Sequence, residues 1–235
     1  MYKYKAKHFK ILDEDGEITK DVIKKCSNAY NKNKRFFQKD CGVFQIRIAN
    51  TEEEFKKLAG KFYKVWVKGV GKKVVGKKEG LVAIRSPELY SECYKRHGGT
   101  PEFEMLLAHE INHIFANQSN LYKGPYWFTE GLAMYVAGQI PGKTYKRKAD
   151  FTKDKTRFYL FYRLIMKRLS DEMYIPQYYA VKYIVDKFGK VKLLRLMKSY
   201  SKNMNKLVYE KNFKKIYGFS YNQFLDEFVE SFNYS

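Results

Sequence analysis

His109-Glu110-Ile111-Asn112-His113 decides how this 235-residue chain is read. The spacing is H-E-x-x-H, set in a run with helical patterning. On an α-helix, residues i and i+4 stand one above the other on the same face. His109 and His113 can therefore aim both imidazoles at one metal ion, and nitrogen donors of this kind suit zinc. Glu110 projects beside that ion, where a carboxylate can take a proton from an attacking water. Upstream, Thr100-Pro101 supplies an N-cap and a first-turn proline, and Phe103, Leu106 and Leu107 form an apolar stripe, so a helix is expected to carry the motif. The chain has only four histidines, and two fall in this pentapeptide. The bland alternative is a solvated helix face that carries His and Glu by accident.

A second element lies downstream. Trp127-Phe128-Thr129-Glu130-Gly131-Leu132-Ala133 reads as the first turns of another helix. A catalytic zinc takes three protein ligands and keeps one position open, and Glu130 is the candidate for the third. Gly131 and Ala133 are small, so this helix could approach the H-E-x-x-H helix closely. Alternatively, Glu130 simply complements a helix N-terminus, where a carboxylate is favoured in any case.

H-E-I-N-H, a spacer of under twenty residues, then W-F-T-E-G-L-A resembles the gluzincins, the thermolysin-like zinc metallopeptidases. The resemblance is to the branch with zinc aminopeptidase-like catalytic domains, the peptidase MA family. It implies one zinc ion per chain, held by His109, His113 and Glu130, with Glu110 as general base. It extends to a pattern in those aminopeptidases, Y-x-x-G-x-x-x-x-x-Y-L-x-x-x-x-G, that begins on a catalytic tyrosine. Here Tyr174, Tyr183 and Gly189 match, while Gln177 replaces the glycine and Ile184 the leucine. Tyr174 thereby inherits the role of transition-state donor. Tyr178 is one helical turn away, and with 21 tyrosines in the chain the choice between them stays open. The G-x-M-x-N-type signature of the aminopeptidases is not evident upstream, which tilts the reading toward an endopeptidase.

Composition narrows the remaining options. At 235 residues with 45% hydrophobic content, the chain can bury a sizeable core as one domain or two small lobes. No run of 18 apolar residues exists, so no membrane span is expected. Met1-Tyr-Lys-Tyr-Lys-Ala-Lys7 is basic with no apolar segment behind it, so no signal peptide is expected. Cys26, Cys41 and Cys93 are too scattered for a disulfide framework and suit a reducing compartment; a cytoplasmic location is expected. Cys93 and His97 could form a second metal site, but free cysteines are usually small buried hydrophobes. The net charge of +21 invites a nucleic-acid reading. Its lysines are spread along the chain, densest from Lys61 to Lys78, and arginine, the better residue for phosphate and base contacts, is in the minority. A general attraction to anions is expected, and a specific nucleic-acid site is not.

Patterning predicts helices over Asp21–Lys39 and from Thr51 to about Tyr63, the latter opened by a capping box at Thr51-Glu54. Strands are expected at Val43–Ala49 and Leu81–Ile84, a β-leaning stretch at Val65–Lys77, a turn at Gly76–Gly80, and a helix or turn start at Ser86-Pro87. The basic stretch Lys143–Asp150 reads as an exposed loop or a lobe junction. Helices then follow over Thr152–Leu169, Ile175–Lys187, Val191–Ser201 and Leu207–Tyr217, with a last one capped at Ser220. The order predicts an α+β fold: a thermolysin-like zincin with a mixed α/β lobe over residues 1–142, an all-helical lobe over 143–235, and the active-site cleft between them. Leu81–Ile84 is either an edge strand that binds substrate by strand addition or an ordinary core strand. The expected partner is a peptide or protein substrate, and nothing speaks to oligomeric state. The rival reading is an inactive zincin-fold module that binds acidic peptide or nucleic acid; the intact base Glu110 argues against it.

Overall fold

Alternating apolar and polar residues build a five-stranded mixed sheet. The computed structural model describes residues 2–14, 16–65, 67–73, 79–97, 102–118, 126–140, 174–199 and 206–232. Its strands are β1 (Tyr2–Lys5), β2 (Phe9–Asp13), β3 (Phe44–Ala49), β4 (Gly69–Lys73) and β5 (Gly80–Arg85), in the order β1-β2-β3-β5-β4. β2, β3 and β5 run parallel, while β1 and β4 are antiparallel edge strands. Nine α-helices lie among the described residues: α1 (Lys20–Phe37), α2 (Glu52–Ala59), α3 (Pro87–His97), α4 (Phe103–Gln118), α5 (Tyr126–Ala137), α6 (Tyr174–Phe188), α7 (Lys190–Lys198), α8 (Lys206–Tyr217) and α9 (Tyr221–Phe232). The fold is therefore α+β. Among the described residues no helix is long and apolar enough to cross a membrane.

Contacts divide the chain into two units, Met1–Gln118 with Val136–Lys146, and Ser119–Tyr135 with Arg147–Ser235. In the first, strand register sorts the side chains by face, because successive residues point to opposite sides. Phe9, Ile11, Phe44, Ile46, Ile48, Val82 and Ile84 share one face through their pairings and are all buried. Helices α1 and α4 cover that face: Tyr30 of α1 packs on Phe9, Phe44 and Phe115, and Phe37 stacks on Phe115. On the opposite face, Ala49 and Val70 pack with Phe55 and Ala59 of α2.

Helix ends follow local chemistry. Thr51 accepts from the Glu54 N–H, and the Glu54 carboxylate accepts from Thr51 and Asn50, which completes the expected capping box. α2 stops at Ala59, short of Tyr63, because Gly60 turns the chain with φ 60°, and a 3-10 turn covers Gly60–Phe62. Arg85, at the end of β5, is fully buried. Its guanidinium lies over the Phe55 ring at 4.1 Å, pairs with both Glu52 oxygens at 3.0 and 2.6 Å, and donates to the carbonyls of Val65 and Val67 just before β4.

The second unit owes its core to aromatic residues. Phe213 packs against Tyr217, Tyr221 and Phe224 at centroid distances of 4.5, 5.1 and 5.3 Å. Phe224 and Phe228 stack along α9, and Tyr183 of α6 meets both. Ser220 and Gln223 cap α9 reciprocally, as expected.

Four expectations change. β1 and β2 were not anticipated. Leu81–Ile84 lies in β5, an interior strand hydrogen-bonded on both sides, so it cannot take an added strand; the edge is β4. α4 is buried on nearly every side and not along one stripe. The close approach at Gly131 is to α6: a Cβ there would lie 2.2 Å from the Gln177 carbonyl oxygen. The expected cap at Thr100-Pro101, most of the Gly76–Gly80 turn, the Lys143–Asp150 loop and the Thr152–Leu169 helix fall outside the described residues. So do the side chains of Cys93 and His97.

Candidate metal centre

α4 holds the H-E-x-x-H motif, and its rotation about its own axis decides where the motif points. A buried amide network fixes that rotation against α1. Asn33 donates to the Ala29 carbonyl at 3.0 Å and the Ala108 carbonyl at 2.8 Å, and Asn112 donates to the Asn33 side-chain oxygen at 2.8 Å. Buried amides that are hydrogen-bonded in this way favour one helix register over others. With α4 so held, the His109 and His113 rings stand 5.0 Å apart at 75° to each other.

One ligand atom from each of His109, His113 and Glu130 falls within 4.8 Å of the others. His109 and Glu130 are buried and His113 is half-buried. Two imidazole nitrogens and one carboxylate oxygen form a donor set that suits zinc and allows the open fourth position of a hydrolytic site. Donors about 2.0–2.1 Å from a tetrahedral ion would be about 3.3 Å apart, so the side chains need only small rotations to close on one ion. The group is compatible with a metal site.

Glu110 sits between the histidines in sequence and faces the sheet edge. The Gly71 N–H of β4 donates to its Oε2 at 2.6 Å. β4 reaches this position because it carries glycine wherever it meets α4. A Cβ on Gly69 would lie 2.7 Å from Glu110 Cγ, and one on Gly71 would lie 2.2 Å from the Glu110 carbonyl oxygen and 3.1 Å from His113 Cβ. Register explains the pattern, since Gly69 and Gly71 pair with Ile84 and Val82, whose side chains face α4.

Tyr174 is the first residue of α6, and its side chain lies outside the described residues. Tyr178 is buried, with its ring against Tyr135 and Tyr179 at 6.2 and 5.2 Å, and burial raises its pKa. Sequence reasoning missed two parts of the neighbourhood: the β4 glycines that seat Glu110, and Gln139, which meets His109 just past the end of α5. A G-x-G in a β-leaning stretch was the one available hint of the first.

Two histidines and a glutamate, with a second glutamate carried between the histidines in sequence, form a group that could hold a metal ion. The chain belongs to the peptidase MA superfamily: that family's model matches residues 104–233, more than half of the chain. The match takes in the H-E-x-x-H motif, Glu130 and α5–α9 entire. No curated protein matches the chain.

Proposed function

We propose that the chain is a zinc-dependent metallopeptidase of the gluzincin type, with a thermolysin-like catalytic centre related to the zinc aminopeptidases and a preference for internal bonds. The observation that carries this reading is the convergence of His109, His113 and Glu130, with Glu110, the residue after His109, held by β4. His109, His113 and Glu130 would hold the zinc, which when bound would supply Lewis acidity toward the scissile carbonyl and make water acidic enough to lose a proton near neutral pH. Glu110 is the base that takes this proton and delivers it to the leaving amine. The Gly71 N–H restrains the rotation of its carboxylate, so proton transfer starts from a fixed geometry. Tyr174 donates to the developing oxyanion. The burial of Tyr178 among rings supports Tyr174 over its neighbour. β4 is the edge strand beside α4, so an extended peptide can bind along it by strand addition. The substrate is a peptide or protein, and no specific nucleic-acid partner is proposed.

Metal analysis together with hydrolysis of an unstructured protein, with and without chelator, tests this reading. About one zinc per chain is expected, lost in His113→Ala and kept in Glu110→Gln. Turnover in Glu110→Gln should fall ~10²–10⁴-fold or more. A Glu110→Gln protein that cleaves at the wild-type rate with zinc in place would overturn the mechanism.

A further inference from the structure

A histidine binds a metal through one ring nitrogen, and the hydrogen bond made by the other decides which one is available. His109 Nδ1 lies 2.9 Å from Gln139 Oε1. Which end of the Gln139 amide faces the ring is settled by its other contact. Gln139 Nε2 lies 3.4 Å from the Met105 carbonyl, which can only accept, so the NH2 group points there and the oxygen points at His109. An amide oxygen cannot donate. In this pair His109 Nδ1 is therefore the donor and carries a proton, so Nε2 is the nitrogen that can serve a metal.

The residue is placed with care for a group just beyond a helix end. Gln139 is 1% exposed. Lys32 of α1 donates to the Ala137 carbonyl at 2.7 Å and so caps α5. Gly138 then reverses the chain with φ 79°, and the Ile140 N–H bonds back to the Gly138 carbonyl at 3.0 Å. That turn delivers Gln139 across one turn of α4, between Met105 and His109. The helix that carries Glu130 thus leads, just past its end, into the hydrogen bond that orients a second candidate ligand.

We infer that Gln139 is a positioning residue for the metal centre, holding His109 in the Nδ1–H tautomer so that Nε2 faces the ion. The inference rests on the metal reading above, but its first test needs no metal. In the metal-free protein, long-range 1H–15N correlation spectra should show His109 protonated at Nδ1, and Gln139→Leu should move the proton toward Nε2. Zinc affinity, read by competition with a chromophoric chelator, should then fall about 10–100-fold in Gln139→Leu. Gln139→Glu keeps an acceptor at the same place and should bind zinc at least as tightly as wild type. Circular dichroism identifies any variant that fails to fold, and Gln139→Glu covers the case in which Gln139→Leu does. A wild-type His109 protonated at Nε2, an unchanged zinc affinity in Gln139→Leu, or a folded Gln139→Glu as weak as Gln139→Leu would each overturn the inference. A wild-type protein that takes up no zinc, with the tautomer as stated, would instead overturn the metal reading and leave the hydrogen bond standing.

Discussion

Replacing Gly71 by alanine adds one methyl group at the tightest contact between β4 and α4. The new Cβ would lie 2.2 Å from the Glu110 carbonyl oxygen and 3.0 Å from its carbon, and side chains essentially never come closer than 3.0 Å. The obstacle is helix backbone, which cannot rotate away, so β4 must retreat by ~0.8 Å. A shift of that size stretches the bond from the Gly71 N–H to Glu110 Oε2 from 2.6 Å to ~3.4 Å, past useful hydrogen-bonding range. Overpacking of this kind costs ~1–3 kcal/mol or somewhat more. For a chain of this length that is a fall of ~2–12 °C in apparent Tm. The φ of Gly71 is not positive, so backbone strain adds nothing. Thermal denaturation, zinc content and peptide hydrolysis should be measured on one preparation. Lower Tm, near-full zinc and turnover reduced at least tenfold are expected, because His109 and His113 stay on α4 while Glu110 loses its anchor. Wild-type Tm and turnover in Gly71→Ala would refute both the contact and the role given to it.

Gly69→Ala meets the flexible Glu110 side chain instead of backbone. It should leave Tm within a few degrees and zinc intact while turnover falls about tenfold to a hundredfold, as assays at saturating substrate would show. Tyr174→Phe should lower kcat by roughly a hundredfold with little change in KM or zinc, whereas Tyr178→Phe should be near neutral in turnover; the reverse pattern would move the role one turn along α6. Burial pushes the thiols of Cys26 and Cys41 up to about 12, so near pH 8 only ~10⁻⁴ of each is thiolate. A native Cys93→Ser protein should therefore be inert to a thiol-reactive dye until denatured, and rapid native labelling would contradict that burial. Binding to duplex DNA should be weak, blind to sequence and steeply lost with added salt, and sequence-selective binding at physiological salt would restore the nucleic-acid reading.

The features legible in the sequence are those in which the informative residues are neighbours along the chain. His109 and His113 are one helical turn apart, and the caps at Thr51 and Ser220 are complete within four residues, so local geometry alone predicts them. β1 was missed because Tyr2-Lys-Tyr-Lys5 has largely exposed side chains and no apolar face to signal a strand. β4 was only sensed as β-leaning because Gly-Val-Gly-Lys-Lys has little strand propensity, and its edge position depends on pairing with β5, which no local pattern encodes. Gln139 was invisible for the same reason. Its partner is 30 residues upstream, and a lone glutamine past a helix end carries no spacing rule.

The buried guanidinium of Arg85 qualifies what the lysine-rich composition means. Lys and Arg together number 46, and at most surface positions either would serve as a solvated cation. Arg85 has four oxygen acceptors and a ring face to satisfy at once, and only a planar fork with five N–H groups can do so; an ammonium on a flexible stem offers three hydrogens from a single point. Arg85→Lys keeps the charge yet would leave carbonyls unpaired in the segment that leads into β4. Exchange of arginine and lysine would thus leave most of the surface of this protein unchanged in charge and function but would fail at this residue, where the choice of cation is a matter of shape.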